Sequence, residues 1–241
     1  MSHVTPASSP SPAPSPDVAA DAPDGRSSRW ADHREARRAE LVHVARRCVH
    51  HRGPDVSMEE IAGAAGTSKS IVYRYFTDKT GLQRAVAEAV VVQIQQALEG
   101  ALHAASTPRA GLRAMVGVYL EMIESSPNVY FFVTRGSLDA GSPLGHFLDA
   151  VTGLVAAPFA RELTEAGSAP EHEARALAAT WAAGAVGFVS GAGERWLRSQ
   201  GTPEALDRVA LTDQVAAWLW GGPVAVLARS RDRRPDAPGR P

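Results

Sequence analysis

The segment from Ser57 to Leu82, SMEEIAGAAGTSKSIVYRYFTDKTGL, constrains the fold of this chain most narrowly, because it contains the signals of several consecutive short helices. Its first residue is followed three positions later by Glu60, and this capping box predicts a helix over MEEIAGAAG. After a glycine turn, Ser68 is placed to cap a helix that runs to Phe76. Two short helices joined by a tight turn predict a helix-turn-helix, whose second helix lies in the major groove of DNA.

The second of these helices separates an inward face from a polar, aromatic face. Val72 and Phe76 are four residues apart and are predicted to pack on the two preceding helices. Cationic and hydroxyl groups on the other side can donate to phosphates or to guanine edges, and an isoleucine can touch a thymine methyl. The predicted contacts are Lys69, Ser70, Tyr73 and Arg74, with Ile71 and Tyr75 at the margins and Lys79 at the start of the next helix.

Overall charge restricts any nucleic-acid surface to a local patch. The chain of 241 residues has a formal net charge of −1, whereas residues 29–79 carry ten cationic and seven anionic side chains.

Cys48 is the one cysteine, so no intrachain disulfide is possible. No apolar run approaches the ~18 residues of a membrane span, and the first residues do not resemble a signal peptide. These features predict a cytoplasmic protein that does not enter a membrane.

Helical periodicity continues through the rest of the chain and predicts an all-α fold of about nine helices. Thr77 or Asp78 caps a helix over residues 79–102, Pro158 interrupts a later one, and Pro203 opens the last. Two folded domains are predicted: a helix-turn-helix domain over 29–80, and a ligand-binding and dimerisation domain over 81–228 that begins with a connecting helix over 81–104. They are flanked by a disordered tail over 1–28 and a disordered basic tail over 229–241.

The opening segment is similar to the DNA-binding module of the TetR (tetracycline-repressor) family of bacterial transcriptional regulators. The similarity covers roughly residues 35–92 and is carried by Ile61-Ala62, Ala65-Gly66, Ser68-Lys69, Tyr73-Arg74-Tyr75-Phe76, Asp78-Lys79 and Leu82. It implies a homodimer that binds a pseudo-palindromic operator on double-stranded DNA. The DNA contacts that it implies are Ser57, Thr67, Ser68, Lys69, Tyr73, Tyr75 and Lys79.

Two positions depart from the pattern of that family. Thr67 stands where the family usually has valine, and Ile71 stands where it often has a small or hydroxyl-bearing residue. These departures leave the predicted fold intact, but the operator sequence does not follow from the resemblance.

The C-terminal half contains a stripe of small residues that predicts close helix packing. Glycine costs ~1 kcal/mol per position in a helix, so several in one helix indicate a packing reason. Together with the last helix, the stripe resembles the four-helix dimer interface of the family, and ordinary core packing is the alternative. The interface candidates are Gly184, Gly187, Gly191, Val215, Trp218 and Leu219.

Aromatic and long apolar side chains in the same half predict a small-molecule cavity or, equally, a helical core. The candidates are Tyr119, Met122, Ile123, Phe131, Phe132, Phe147, Trp181 and Phe188. Few charges interrupt them, so an effector should be largely apolar, for example a long-chain acyl-CoA, another lipid, or a hydrophobic drug or metabolite. The segment SSPNVYFFVTRG resembles lipid-responsive actinobacterial members of the family.

Other functional classes fit the sequence less well. Paired carboxylates, a nucleophile with a base, and glycine-rich phosphate loops do not occur with usable spacing, so neither an enzyme nor a cofactor is predicted. Glu171-His172-Glu173, and Cys48 with His50 and His51, are better explained as structural or solvated groups than as metal ligands. An architectural DNA-binding protein would be strongly basic. The sequence therefore predicts a ligand-responsive regulator, most often a repressor in this family.

Overall fold

The computed structural model describes residues 25–135, 142–165, 167 and 169–232. Most of the two predicted tails, residues 1–24 and 233–241, lies outside the described residues. Residues 25–28 and 229–232 are helical, so both tail boundaries were predicted wrongly by four residues. Neither of these two segments contains a proline, which would interrupt a helix.

The described residues form nine helices and no strand, which confirms the predicted all-α fold. In chain order the helices are α1 (Gly25–Arg52), α2 (Met58–Ala64), α3 (Lys69–Phe76), α4 (Lys79–His103), α5 (Pro108–Ser125), α6 (Pro127–Thr134), α7 (Pro143–Glu165), α8 (Glu171–Ser199) and α9 (Arg208–Asp232). The chain divides into two compact units, residues 1–38 and 39–241. In the first unit, the described residues are the N-terminal part of α1, where Trp30 is 70% exposed.

One core cluster of the second unit holds the short helices together. It contains Leu41 and Val49 of α1, Ile61 of α2, and Val72 and Phe76 of α3, each at most 4% exposed. The predicted inward pair of α3 is therefore confirmed. Side chains from the start of α4 and from α6 complete this cluster. A second cluster joins α5, α8 and α9, and a third joins α4, α5 and α7.

Two predicted helix boundaries were wrong. Helix α7 continues through Pro158, although proline lacks a backbone donor and its ring crowds the preceding turn. The neighbouring Phe159 packs there with its ring centroid 5.2 Å from that of Trp181. Helix α9 begins at Arg208 rather than Pro203, because the Asp207 carboxylate accepts hydrogen bonds from two amides of its first turn.

Helix α8 is an exception to the prediction that no apolar run approaches the length of a membrane span. Among the described residues it is the one helix long and apolar enough to cross a membrane by length and composition. Alanine, together with valine, leucine and phenylalanine, gives it this hydropathy. Within the fold one side of α8 packs against α7 and α5.

Candidate nucleic-acid interface and ligand cavity

Reciprocal hydrogen bonds at its N-terminus fix α2, as the capping box predicts. The Ser57 amide donates to Oε2 of Glu60 at 2.8 Å, and the Glu60 amide donates to Oγ of Ser57 at 3.2 Å. Nη1 of Arg52 also donates to the Glu60 carboxylate at 3.2 Å. The backbone and hydroxyl of Ser57, followed by Arg52, hold the pKa of Glu60 below its ordinary value. The Ser57 hydroxyl is thus already engaged within the protein.

We expect Ser57→Ala to lower the free energy of unfolding by about 1 kcal/mol, because the Glu60 amide loses its acceptor. Denaturant unfolding measures this loss. Ser57→Thr keeps the hydroxyl and should restore most of the stability. If Ser57→Ala unfolded like the unmodified protein but bound DNA more weakly, this residue would be a DNA contact rather than a cap.

Helix α3 presents a polar surface opposite its buried pair. Lys69, Ser70, Tyr73 and Arg74 are all exposed, and we call them the recognition face. The remaining predicted contacts divide between half-buried Ser57, Thr67, Ile71 and Tyr75 and exposed Ser68 and Lys79. Ser68 is the N-cap of α3 by position, but its hydroxyl pairs with that of Ser70 at 2.9 Å instead of accepting a helix amide.

The junction between α3 and α4 is a tight turn. Thr77 has φ +63° and ψ −52°, and the Asp78 amide donates to the Phe76 carbonyl at 2.6 Å, which is a strained γ-turn. Oδ1 of Asp78 accepts from the Gly81 amide at 2.6 Å. Of the two candidate caps for α4, the structure therefore selects Asp78. The short turn sets the direction of α3 relative to α4.

Lys69 of the recognition face has an anionic partner that sequence reasoning missed. Its Nζ lies 2.5 Å from Oε1 of Glu59 on α2 and 5.9 Å from the ring centroid of Tyr73. The hydrogen bond between the two side chains raises the pKa of Lys69 and lowers that of Glu59. Because both side chains are exposed, the pair is only weakly stabilising. A DNA phosphate can therefore compete for this lysine at small cost.

Two adjoining cavities lie among the C-terminal helices. The Tyr119 cavity, of about 60 Å³, is lined by fourteen residues that include the predicted Tyr119 and Phe147. The Trp181 cavity, of about 730 Å³, is lined in part by the predicted Trp181. Leu112, Met115 and Val155 line both cavities.

The other predicted cavity residues lie elsewhere. Phe132 belongs to the core around the short helices, because α6 directs it towards α1 and α4. Phe131 and Ile123 pack in the cluster of α5, α8 and α9, and Met122 is half-buried outside both cavities. Phe188 is 41% exposed on the outer side of α8. These five residues line neither of the two cavities, because helical spacing does not tell which neighbour a side chain meets.

The predicted glycine stripe lies on an open surface of α8. A Cβ atom added at Gly184, Gly187 or Gly191 would meet no atom within 4 Å. Beside them, Phe188 and 58%-exposed Trp218 of α9 place their ring centroids 5.9 Å apart. We call these five residues the glycine face.

The two remaining interface candidates, Val215 and Leu219, point instead into the core of this chain. They are 1% and 7% exposed, and Leu219 also lines the Tyr119 cavity. They lie on the side of α9 that packs against α5 and α8, so their assignment to an interface was wrong.

The chain is similar to known bacterial regulatory proteins. The family "Bacterial regulatory proteins, tetR family" matches residues 41–86, and the family "Tetracyclin repressor-like, C-terminal domain" matches residues 97–240. An uncharacterized HTH-type transcriptional regulator of Mycobacterium tuberculosis is 35% identical over 119 residues, which are 47% of this chain and 49% of that protein. The chain thus spans about half the length of this relative.

A further relative and a solved structure of similar fold cover more of the chain. The HTH-type transcriptional activator FasR of Mycolicibacterium smegmatis is 24% identical over 190 residues, 78% of this chain and 84% of FasR. The structure of FadR from Bacillus subtilis in complex with stearoyl-CoA superposes with a TM-score of 0.57 at 16% identity, over 76% of this chain and 98% of FadR, and so shows a shared fold. Since one family match covers well over half of its length, the chain belongs to the TetR family of DNA-binding transcriptional regulators.

Proposed function

We propose that this regulator is a homodimeric, cytoplasmic repressor that releases its operator when an apolar effector binds. The observation that carries the proposal is the exposed recognition face on a helix held by the buried Val72 and Phe76. Two such helices in a dimer would enter successive major grooves, ~34 Å apart. The relatives are transcriptional regulators, and no catalytic role is proposed for the chain.

In the proposed complex the recognition face reads bases and its surroundings hold phosphates. Lys69 would exchange Glu59 for a phosphate or a guanine edge, and Arg74 would donate to the same groups. The tyrosine hydroxyls would donate to phosphates. The proposed contact set is Ser57, Thr67, Ser68, Lys69, Ser70, Ile71, Tyr73, Arg74, Tyr75 and Lys79.

The glycine face is the proposed dimer interface. Its open glycines allow the backbone of a second copy to approach closely, and its two aromatic rings supply apolar area for burial. Leu177 lies seven residues before Gly184 on the same side of α8 and is 44% exposed, which extends the apolar surface. A self-complementary surface of this kind suits a two-fold axis.

The effector is proposed to be a lipid or an acyl-CoA. The Tyr119 cavity has an almost wholly apolar lining, and FadR, a protein of similar fold, is described in complex with stearoyl-CoA. A hydrophobic drug or metabolite is the alternative effector, in a regulator of efflux or catabolism genes. The aromatic rings of Phe159, Trp181 and Trp220 around the Trp181 cavity suit such a compound as well.

Helix α6 lies between the core around the DNA-binding helices and the cluster of α5, α8 and α9. Its Val129, Phe132 and Val133 pack in the core around α1 to α4, whereas Tyr130 and Phe131 pack against the cluster of α5, α8 and α9. Polar contacts also join α6 and its flanks to the DNA-binding part of the chain. Asn128 donates to the His50 carbonyl at 3.0 Å, Gln83 to the Phe132 carbonyl at 2.5 Å, and Arg135 to the Asp55 carboxylate at 2.6 Å. A ligand that moves α6 would therefore move the recognition helix.

The proposal predicts different effects for two substitutions on the recognition face. We expect Tyr73→Ala to weaken binding to all DNA sequences by about tenfold, because it removes a phosphate contact. Lys69→Ala should weaken operator binding similarly and also change the preference among sequences. The measurement is fluorescence anisotropy on operator and scrambled DNA, with the operator taken from unbiased selection of bound sites.

Glu59→Gln is a matched control, because it releases Lys69 from its ion pair and keeps the size of the side chain. It should leave operator affinity equal or higher. Operator affinity unchanged in both Tyr73→Ala and Lys69→Ala would place the DNA contacts elsewhere. Release of DNA on titration of a long-chain acyl-CoA would support the effector class, and tighter binding would make the effector a corepressor.

A further inference from the structure

The polar atoms around the Tyr119 cavity are concentrated at one point. Of the fourteen described residues that line it, two carry hydroxyl groups, Tyr119 of α5 and Ser190 of α8, and the others are apolar. The Tyr119 hydroxyl lies near Ser190 and near Tyr130 of α6. Burial raises the pKa of Tyr119 far above its ordinary value, so this phenol stays protonated and uncharged.

No lining residue of this cavity is charged. A carboxylate placed there would lose its hydration without gaining a cation, which is strongly unfavourable. An uncharged oxygen can instead exchange hydrogen bonds with the two hydroxyls, which act as donors and acceptors. The lining therefore favours apolar ligands over polar ones, and uncharged oxygen groups over charged ones.

The position of the Tyr119 ring is set by a close contact with α8. A Cβ atom at Gly193 would lie 2.9 Å from Cε1 of Tyr119 and 2.9 Å from Cδ1 of Ile123. Glycine at this position thus lets the tyrosine lie directly against α8, where Ser190 is one helical turn away. The hydroxyl pair is consequently held in one place.

The adjoining Trp181 cavity can hold the rest of a longer molecule. Its volume of about 730 Å³ lies in the range of small-molecule sites. Its lining combines Trp181 and Trp220 with the charged Arg161 and Glu162. Charged groups of a ligand would therefore have partners in this cavity but none in the Tyr119 cavity.

We propose that the effector is an elongated, mainly hydrocarbon molecule with an uncharged oxygen function that is hydrogen-bonded by Tyr119 and Ser190. Alcohols, ketones, esters and thioesters satisfy this description, and free carboxylates do not. The assignment rests on the proposed ligand-responsive function. It deepens that function by naming the group that the cavity recognises.

The test compares three ten-carbon probes on the DNA-free full-length protein at pH 7.5. They are 1-decanol, 1-chlorodecane, which lacks a hydrogen-bonding oxygen, and decanoate. Trp181 and Trp220 line the adjoining cavity, so tryptophan fluorescence reports binding. We expect 1-decanol to bind at least about fivefold more tightly than 1-chlorodecane and about tenfold more tightly than decanoate.

Variants separate the hydroxyl contact from general packing. Tyr119→Phe and Ser190→Ala should each weaken 1-decanol binding by about fivefold and leave 1-chlorodecane within twofold. Ser125→Ala also removes a hydroxyl group from α5, but outside both cavities, and should change neither affinity. A loss of affinity for both probes in Tyr119→Phe would indicate altered packing and would overturn the proposal.

Equal affinity for 1-decanol and decanoate would also overturn the proposal. The proposal would likewise be overturned if none of the three probes bound. Because these measurements contain no DNA, they are independent of operator binding. If the probes bind in the expected order but the protein binds no specific operator, the ligand site is supported and the proposed regulation is rejected. Operator binding without the expected probe order would do the reverse.

Discussion

Replacing Gly81 by alanine is expected to lower operator affinity by at least about tenfold and the free energy of unfolding by about 3 kcal/mol. A Cβ atom at Gly81 would lie 2.0 Å from the Phe76 carbonyl oxygen and 3.1 Å from its carbon. Both are backbone atoms of the γ-turn that joins α3 to α4, so no side-chain rotation can relieve the clash. The junction itself must shift, and the direction of the recognition helix shifts with it.

Thermal unfolding and DNA anisotropy measure the two effects. A loss of about 3 kcal/mol corresponds to a fall in melting temperature of about 6 to 12 °C for a chain of this size. Gly63→Ala on α2 is the matched control, since a Cβ atom there meets nothing within 4 Å. It should be neutral or stabilising by up to about 1 kcal/mol. Equal behaviour of the two variants would contradict the close approach at the junction.

Gly187→Leu is expected to convert the proposed dimer into monomers and to lower operator affinity on the order of 100-fold. The protomer itself should keep its fold, because nothing lies within 4 Å of the added Cβ atom and leucine favours the helix. In a two-fold interface the added side chain occurs twice, and each copy should cost about 1 to 3 kcal/mol. A monomer holds one half-site and loses the gain in effective concentration of a second site.

Analytical ultracentrifugation measures the change of state, and circular dichroism checks the helix content. Gly100→Leu on α4 is the control, because this exposed glycine is equally open and lies outside the glycine face. It should remain dimeric and bind the operator normally. A Gly187→Leu protein that stays dimeric would exclude the glycine face as the interface, while leaving the DNA-binding assignment intact.

The elements that were predicted correctly depend on contacts between residues close in sequence. The capping box needs only Ser57 and Glu60, three positions apart, and the inward pair of α3 needs only a helical period. Pattern reasoning reaches such features because the partner of each group lies within one turn. Pattern reasoning could not choose Asp78 over Thr77 as the cap of α4, because the γ-turn at Thr77 decides this choice.

Features that depend on distant partners could not be predicted. Phe131 and Phe132 are neighbours in sequence, yet they pack in different clusters, because α6 lies between the two clusters. The Glu59 partner of Lys69 and the neighbouring hydroxyls of Ser190, Tyr119 and Tyr130 likewise come from different helices. Their patterns are indistinguishable from ordinary solvated or core positions until the helices are packed.

By itself, the sequence determined the helical fold, the helix-turn-helix and the recognition face, because helix signals are local and the family resemblance lies in one continuous segment. The tertiary structure alone decided which aromatic side chains line a cavity, which glycines face outwards, and which cation is already paired. The physical reason is that burial and pairing depend on the rotation of each helix against its neighbours. A helical period tells which residues share a face but not what that face meets.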